Sequence, residues 1–305
     1  MPTRRAEIPG QTHRAVIRLA EKRLKKGPML SNEGEKLTRV LVCTPREQYF
    51  RCGDGGAHNI HEPPDPARTK SQHDALKLTL RRSGCEVIDV PEMPRHPNSV
   101  FVRDAALCVP AGFIRLRMGL ASRLGEEGWM ADILGSLGEP CAGQIDEPGT
   151  VEGGDVILAG AVAFVGLSSR TNAEGARQIS SLLANLGYEI RSAPVPKAHL
   201  HLGGGMSVIG SGRVLCCDGK FPDDLFAGFD VIRVAHRNAG AGNVICLGAN
   251  EVVADSSGSG DTIRELERSG VKVHALNLSE FRKGAGGPSC LILPVERTVE
   301  PTPCA

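Results

Sequence analysis

The sequence contains one cysteine in a setting that suits a nucleophile. Residues 284–290 (GAGGPSC) combine three glycines with a proline and therefore predict an irregular turn. The apolar run at residues 290–294 (CLILP) follows at once and predicts a short buried strand. A thiol at the mouth of such a strand is reachable while its backbone stays fixed, as a nucleophile requires. The alternative is that Cys290 is a small buried hydrophobe, one of ten cysteines in the chain.

Four further segments bring acidic, amide or imidazole side chains directly ahead of a predicted strand. They are residues 97–104, 148–155, 199–205 and 240–243. Each belongs to a repeated unit of strand, turn, strand, helix and strand, about five of which fill the middle of the chain at spacings of about 40–60 residues. Loops on a rigid scaffold hold sites. A ring of such units would therefore gather a nucleophile, a base and several carboxylates at its centre.

The repeats also predict the domain organisation. A last strand at residues 291–293 would pair with the first strand, at residues 39–42, and close the ring. We therefore predict one α/β domain over residues 38–296, with a helical or mobile extension at residues 1–37 and a tail at residues 297–305. Helices are predicted over residues 72–84 and 173–187, each ending at a glycine typical of a helix C-terminus.

Composition excludes several classes of protein. The chain has 41% hydrophobic and 23% charged residues, which is typical of a soluble globular protein. Its net charge of +1 provides no strong positive electrostatic field to hold nucleic acid. The apolar runs are too short to span a bilayer. The opening residues, MPTRRAE, lack the apolar core of a secretory signal, so we expect a cytoplasmic protein with reduced cysteines. No zinc-spaced cysteines and no phosphate-binding loop with its lysine occur, so we expect neither a metal nor a cofactor.

Five short motifs occur in the order and approximate spacing of one superfamily. They are FVRD at 101–104, EGGD at 152–155, SRTN at 169–172, His201 followed by leucine, and GGPSC at 286–290. On these motifs the chain resembles the guanidino-group-modifying superfamily, which includes dimethylarginine dimethylaminohydrolases, arginine deiminases and amidinotransferases. Residues 148–152 (PGTVE) and 169–178 (SRTNAEGARQ) are most similar to bacterial dimethylarginine dimethylaminohydrolases. The resemblance implies a five-bladed, pseudo-fivefold α/β propeller of ββαβ units, the pentein fold.

The resemblance also implies the roles of four residues. Cys290 matches the nucleophile, which must be a thiolate because a guanidinium carbon is a poor electrophile. His201 matches the general acid and base. Glu152 matches the carboxylate that contacts the guanidinium and orients the histidine, and Asp104 matches a second carboxylate on the guanidinium.

Three further candidates carry alternatives. Arg123 and Arg170 match arginines that hold the α-carboxylate of the substrate, although Arg123 could be a surface arginine. Asp155 is a substrate-binding candidate that could instead cap the adjacent turns. His199 competes with His201, because two residues apart on a strand they would face the same side. The motif of histidine and leucine before small residues favours His201.

Two positions depart from the patterns of the superfamily. Arginine deiminases have an acidic residue two positions after the histidine, where this chain has Gly203, and the loss of that carboxylate would leave room for methyl groups. Dimethylarginine hydrolases have glutamate where this chain has Arg103. Residues 97–98, the FVRD motif and the GGP before the cysteine are more similar to arginine deiminases.

We therefore expect a hydrolase that converts dimethylarginine or monomethylarginine to citrulline and an amine through a covalent thiouronium on Cys290. An arginine deiminase or an amidinotransferase is the alternative within the superfamily. A non-catalytic protein that binds guanidino ligands and a ring module that binds ribosomal RNA are alternatives from other classes. The presence of Cys290, His201 and Glu152 together, called here the triad, argues against the former, and the net charge of +1 argues against the latter. The expected partner is a small guanidino molecule, without nucleic acid or membrane, and family analogy implies a homodimer.

Overall fold

The computed structural model describes residues 32–52, 55–235 and 240–299. Most of the extension predicted at residues 1–37 and most of the tail predicted at residues 297–305 therefore lie outside the described residues. Strand pairing begins at Lys36 and ends at Thr298, which pair with each other just beyond the predicted limits of the domain. Within the described ranges, no helix has both the length and the apolar character needed to cross a lipid bilayer.

The strands of the described residues form five sheets of three strands each. In every sheet the central strand pairs antiparallel with one neighbour and parallel with the other, which confirms the predicted ββαβ repeat. The sheets are ordered β15-β1-β2, β3-β4-β5, β6-β7-β8, β11-β10-β9 and β12-β13-β14. Their bounds are β1 Lys36–Cys43, β2 Glu86–Val90, β3 Ala106–Val109, β4 Gly112–Arg115, β5 Cys141–Gln144, β6 Val156–Ala159, β7 Val162–Leu167, β8 Glu189–Pro194, β9 Met206–Gly210, β10 Arg213–Cys217, β11 Asp230–Val234, β12 Val244–Gly248, β13 Glu251–Asp255, β14 Lys272–Leu276 and β15 Leu293–Thr298.

Helices supply most of the crossovers that parallel pairing requires. The crossover helices are α1 Pro66–Arg82, α2 Glu126–Ser136, α3 Ala173–Asn185 and α5 Gly260–Arg268. Two short helices, α4 Leu202–Gly205 and α6 Ser279–Arg282, instead connect one sheet to the next. The first helix begins earlier than predicted, because the Asp65 carboxylate caps it by accepting from the Arg68 N–H and Pro66 favours the first helical position. Between β10 and β11 a single 3₁₀ turn, Asp223–Phe226, takes the place of a longer helix.

The first and last strands close the ring. β1 pairs antiparallel with β15, with Val40 opposite Pro294 and Leu41 opposite Leu293, so the predicted closure is confirmed. The prediction of a strand beginning at Cys290 is wrong. Residues Pro288–Leu291 form a 3₁₀ turn, since the Cys290 N–H bonds back to the Gly287 carbonyl at 3.1 Å, and the strand begins only at Leu293.

One edge strand of each sheet lies at the centre of the ring, namely β3, β6, β9, β12 and β15, and these strands determine where the loops ahead of them meet. β3, β6, β9 and β12 are buried at every residue. β9 packs against β6 and β12, and β15 packs against β3. Single helical turns precede four strands at the centre of the ring: Gly153–Asp155 and α4 stand directly before β6 and β9, and Val102–Asp104 and Pro288–Leu291 end one residue before β3 and β15. The polar side chains of these turns consequently gather at one end of the central strands.

Candidate active site

Cys290 lies in the 3₁₀ turn that precedes β15, and an asparagine fixes this turn. The Ser289 N–H donates to Asn243 Oδ1 at 2.9 Å, and Asn243 Nδ2 lies 3.9 Å from Cys290 Sγ. A Cβ added at Gly287 would lie 2.7 Å from Asn243 Cγ, so glycine permits the close approach of backbone and amide. The result is a partly buried thiol on a fixed backbone. The sequence motifs named the segment of Asn243 but gave that residue no role.

His201 and Glu152 form a buried pair beside this thiol. His201 Nε2 lies 2.7 Å from Glu152 Oε2. The other carboxylate oxygen, Oε1, accepts from the backbone N–H groups of Gly119 at 3.0 Å and Leu120 at 3.2 Å. Arg170 Nη1 lies 3.7 Å from the same oxygen. Because both oxygens of Glu152 are engaged, the carboxylate fixes the orientation of the imidazole, and the Nδ1 side of the ring is left for proton transfer.

Neighbouring charges keep the His201–Glu152 pair ionised. Burial by itself would lower the pKa of His201, but the negative charges of Asp104, Asp155 and Glu152 outweigh it and raise that pKa to about 9. Burial would raise the pKa of Glu152, yet the hydrogen bond and charge of His201, with nearby arginines, lower it to about 2. At neutral pH the pair is therefore an imidazolium and a carboxylate, and His201 is a proton donor.

The Cys290 thiol is neutral when the cavity holds no cation. Burial is the main cause that raises the pKa of Cys290 to about 11, and the charge of Asp104 adds to it. Arg103 and Arg123 act in the opposite direction. A cation bound against Asp104 would offset the effect of that carboxylate and favour the thiolate.

Asp104 belongs to a buried charge network with Arg123. Arg123 Nη1 donates to Asp104 Oδ2 at 2.7 Å, and Arg123 Nη2 donates to Glu126 Oε2 at 2.7 Å. Asp104 Oδ1 accepts from the Gly154 N–H at 3.0 Å and lies 4.0 Å from His201 Nδ1. Arg123 is thus buried rather than at the surface. Its role in holding a substrate carboxylate stays a prediction, since its guanidinium is already engaged by two protein carboxylates.

Asp155 connects three backbone segments. Its carboxylate accepts from the Ser168 hydroxyl at 2.6 Å, the Thr171 hydroxyl at 2.7 Å and the Leu202 N–H at 2.9 Å. These bonds join the turn before β6 to the segment ahead of α3 and to α4. The arrangement supports the structural alternative for Asp155, and its contact with substrate stays a prediction.

The two histidines of the 199–205 segment face different surroundings. His201 stands at the N-terminus of α4 and points to Glu152. His199 instead stacks on Phe221, with the ring centroids 6.5 Å apart and the planes 25° apart. The expectation that both side chains would face the same side assumed a strand, whereas the chain turns into a short helix here. The geometry therefore agrees with His201 as the acid and base.

One cavity unites most of these groups. Its lining consists of Asn59, Asn98, Phe101, Asp104, Leu120, Arg123, Glu152, Arg170, Leu200, His201, Gly284, Ala285, Gly286 and Cys290. The triad, Asp104 and both arginines are therefore brought together, whereas Asp155 lies behind the cavity. No sequence pattern pointed to Leu120, and Asn59 lies in a polar loop without a recognisable motif. Leu200 lay in the segment 199–205 but received no role. Asn98 lay in a segment that had been singled out but received no role.

Three of the lining side chains could in principle hold a metal ion. One ligand atom each from Asp104, Glu152 and His201 lies within 4.8 Å of the others. However, Arg123 donates to Asp104, His201 bonds to Glu152, and Arg170 lies 3.7 Å from Glu152. Adjacent guanidinium groups oppose the binding of a metal cation, so this donor set fits internal charge pairing better than a metal.

Known sequences match the chain over most of its length. The family model described as N,N dimethylarginine dimethylhydrolase, eukaryotic, matches residues 61–297. The N(G),N(G)-dimethylarginine dimethylaminohydrolase of Pseudomonas aeruginosa is 33% identical over 254 residues, which cover 83% of this chain and 98% of that protein. The protein of the same name from Streptomyces coelicolor is 30% identical over 236 residues, covering 77% of this chain and 88% of that one.

Solved structures share the fold. A dimethylarginine dimethylaminohydrolase, crystallised as an adduct with S-methyl-L-thiocitrulline, is 29% identical and has a TM-score of 0.75, with 84% of this chain and 99% of that chain covered. The N-terminal domain of a cyanobacterial arginine dihydrolase is 20% identical with a TM-score of 0.74, covering 86% and 99% of the two chains. These likenesses confirm the predicted pentein propeller. The chain is a hydrolase, and it belongs to the dimethylarginine dimethylaminohydrolase family.

Proposed function

We propose that the protein hydrolyses Nω,Nω-dimethylarginine, or monomethylarginine, to citrulline and dimethylamine or methylamine, with Cys290 as a covalent nucleophile. The observation that carries this proposal is the cavity in which the Cys290 thiol, the His201–Glu152 pair and Asp104 meet. This reaction needs a thiol as nucleophile, an imidazolium that can donate and later accept a proton, and carboxylates that bind the guanidinium cation. Relatives at 33% and 30% identity that carry the name of this activity add support.

Binding of the substrate would activate the nucleophile. The guanidinium is a planar cation whose N–H groups suit the carboxylates of Asp104 and Glu152. Its positive charge offsets the negative charge that disfavours ionisation of Cys290, so the thiol proton passes to solvent and a thiolate forms. Arg170 faces the same cavity and supplies a fork for the α-carboxylate of the amino acid.

The chemistry then proceeds in two steps. The thiolate of Cys290 attacks the guanidinium carbon, and the His201 imidazolium gives its proton to the departing dimethylamine. A thiouronium remains covalently bound to Cys290, and His201 is neutral. His201 next takes a proton from a water that attacks the same carbon. The carbon–sulfur bond breaks to restore the thiolate and release citrulline, while the second proton of that water passes to solvent.

The composition of the cavity favours a methylated guanidine over arginine. Among the described residues that line it, Asp104 and Glu152 carry the carboxylates. A dimethylated guanidinium has fewer N–H donors than arginine and needs fewer acceptors. The position two residues after His201, acidic in arginine deiminases, is Gly203 here. Arginine hydrolysis is the second candidate, favoured by Arg103 before Asp104 in place of the glutamate of dimethylarginine hydrolases.

Product analysis tests both candidates. Purified protein is incubated with asymmetric dimethylarginine, arginine or agmatine, beside the Cys290→Ser variant. Citrulline and dimethylamine from dimethylarginine, absent with the variant, are the expected result. Citrulline and ammonia from arginine would select the second candidate. Absence of product with rapid labelling of Cys290 by chloroacetamidine would indicate another guanidine or transfer to an amine, and absence of both would indicate a non-catalytic binding protein.

Location and assembly complete the proposal. We propose a cytoplasmic enzyme, which fits the nine described cysteines, all of them free thiols. The homodimer implied by family analogy stays a prediction, and light scattering of the purified protein tests it.

A further inference from the structure

A further buried ion pair, between Arg103 and Glu33, lies behind the active site, on the side away from the substrate cavity. Arg103 Nη2 donates to Glu33 Oε1 at 2.7 Å. The Arg103 side chain is 7% exposed and that of Glu33 is 19% exposed, so water screens the pair only weakly. Glu33 comes from the segment ahead of β1, whereas Arg103 directly precedes Asp104 in the chain. The pair therefore joins the start of the described structure to a site residue.

Arg103 supports the backbone that carries Glu152. Its Nε donates to the Gly153 carbonyl at 3.3 Å, and its Nη2 donates to the Val156 carbonyl at 2.9 Å. A Cβ added at Gly153 would lie 2.1 Å from the Arg103 carbonyl oxygen, so the two backbones are in direct contact. Residues 152–155, called here the catalytic turn, thus rest on the guanidinium of Arg103.

Glu33 is held in place independently of Arg103. Its N–H donates to the Leu158 carbonyl at 2.8 Å, and its Oε1 accepts from the Leu158 N–H at 3.2 Å. The next residue, Gly34, is so close to β9 that an added Cβ would lie 2.3 Å from the Gly210 carbonyl oxygen. The carboxylate of Glu33 is therefore a fixed counter-charge, and Arg103 adopts its position against it.

Arg103 also acts on the nucleophile through its charge. Arg103, together with Arg123, lowers the pKa of Cys290 against the larger effects of burial and Asp104. Arg103 and Ser289, the residue before Cys290, line the same small cavity behind the site. The charged groups around Cys290 are Arg103, Asp104, Arg123, Glu152, Arg170 and His201.

We propose that Glu33 and Arg103 form a positioning pair for the reaction. Glu33 holds the Arg103 guanidinium behind the catalytic turn. Arg103 supports that turn, and its positive charge near Cys290 is partly neutralised by Glu33. This role rests on the proposed function, because Cys290 must be the nucleophile for it. The proposal assigns a function to the segment ahead of the first strand. It also assigns one to Arg103, which stands at the position where dimethylarginine hydrolases have glutamate.

Two single variants and one matched control test the pair. Glu33→Gln removes the counter-charge, and Arg103→Gln removes the cation. The control, Asp230→Asn, breaks the exposed ion pair in which Arg213 Nε lies 2.6 Å from Asp230 Oδ2. The measurements are kcat and KM with dimethylarginine, and the rate at which neutral iodoacetamide modifies Cys290 at pH 8, followed by mass spectrometry of the Cys290 peptide.

The two variants should act alike on turnover and oppositely on the thiol. We expect kcat to fall about tenfold in both, with KM within about twofold, because the guanidinium behind the catalytic turn is held less firmly in Glu33→Gln and is absent in Arg103→Gln. Alkylation of Cys290 should become about threefold faster in Glu33→Gln, where the Arg103 charge is no longer neutralised, and about threefold slower in Arg103→Gln. Asp230→Asn should match the wild type in every measurement.

Several outcomes would overturn the pair. Unchanged kcat in Glu33→Gln would remove its positioning role, and alkylation shifts of the same sign in both variants would indicate a structural role alone. If either single variant fails to fold, the double variant Glu33→Gln/Arg103→Gln, which removes both charges together, decides. In the double variant, a kcat about tenfold below that of the wild type together with alkylation close to the wild-type rate supports the pair. An unchanged kcat, or an alkylation rate below half the wild-type value, contradicts it. A wild type inactive on dimethylarginine would contradict the proposed function only, since the alkylation rates still test the pair.

Discussion

Arg123 donates two hydrogen bonds to a single oxygen of Glu126: Nε at 3.0 Å and Nη2 at 2.7 Å both reach Oε2. Both side chains are almost completely buried. The third donor used, Nη1, reaches Asp104 at 2.7 Å, so Glu126 fixes the arginine that in turn fixes a carboxylate of the cavity. No sequence motif singled out Glu126.

Glu126→Gln should therefore destabilise the protein. The substitution keeps the shape of the side chain but removes a buried charge that balances Arg123, so the free energy of unfolding should fall by about 3 kcal/mol. Urea unfolding followed by circular dichroism measures this. Asp230→Asn, at an exposed pair, should cost less than about 1 kcal/mol. Equal losses in the two variants would contradict a structural role for Glu126.

The thiol of Cys290 should titrate as a group whose pKa lies near 11. Below that value the thiolate is the minor form, so its reaction with neutral iodoacetamide should accelerate about tenfold per pH unit from about pH 7.5 to 9.5. The cationic chloroacetamidine should modify Cys290 far faster than iodoacetamide at neutral pH, because its charge replaces that of the substrate. Mass spectrometry of the Cys290 peptide follows both reagents. Equal rates for the two reagents would show that Asp104 and Glu152 do not recruit a cation.

Glu152→Gln should move the alkaline limit of activity. His201 must be protonated to act as an acid, and its pKa of about 9 depends partly on Glu152. The variant should lower kcat about a hundredfold and shift the alkaline limb of the pH profile toward neutrality. An unchanged alkaline limb, measured from pH 6 to 10, would assign it to another group.

The same pKa shift predicts how stability depends on pH. The pKa of His201 is raised in the folded protein from 6.5 to about 9, so its contribution is fully present below the unfolded value and is lost as pH rises through the folded one. The free energy of unfolding of the wild type should consequently decline across this window more steeply than that of Glu152→Gln. Parallel curves from urea unfolding would contradict the coupling of His201 to Glu152.

Arg170→Met should separate amino acid substrates from amines. Arg170 lines the cavity and is only loosely paired, with Nη1 3.7 Å from Glu152 Oε1, so it is available to a carboxylate. The KM for dimethylarginine should rise by about tenfold or more, since a charge-assisted bond is lost. Nω,Nω-dimethylagmatine, which lacks the carboxylate, serves as the matched substrate. Equal effects on both substrates would show that Arg170 acts only through Glu152.

Gly286→Ala should damage the site through Phe101. A Cβ at this position would lie 2.1 Å from Phe101 Cε1, so the aromatic ring that lines the cavity must move. We expect kcat/KM to fall about tenfold or more, as overpacking displaces the groups around Cys290. Gly128→Ala, in α2 with no atom near the added Cβ, is the control and should retain full activity. Equal activity of the two variants would contradict this packing constraint.

The sequence by itself determined the repeated architecture, because hydrophobic periodicity and the glycines that end helices depend only on residues close together in the chain. Gly84 and Gly187 end helices with φ values of +85° and +98°, at the positions where the pattern predicted helix ends. The alternation of strands and helices was sufficient to predict five units and the pairing of the last strand with the first. Five ordered motifs were sufficient to select Cys290, His201 and Glu152 as candidates.

Only the tertiary structure decided how those residues are paired and which charges surround them, because each pairing depends on partners distant in the chain. His201 and His199 differ because one meets Glu152 and the other meets Phe221. The local pattern around Arg123 could not reveal Glu126 and Asp104 as its partners. Likewise, the apolar run after Cys290 is compatible with a strand, and the 3₁₀ turn there depends on Asn243 from another unit. Burial and long-range charge, which set the protonation of the thiol and the imidazole, exist only once the ring has closed.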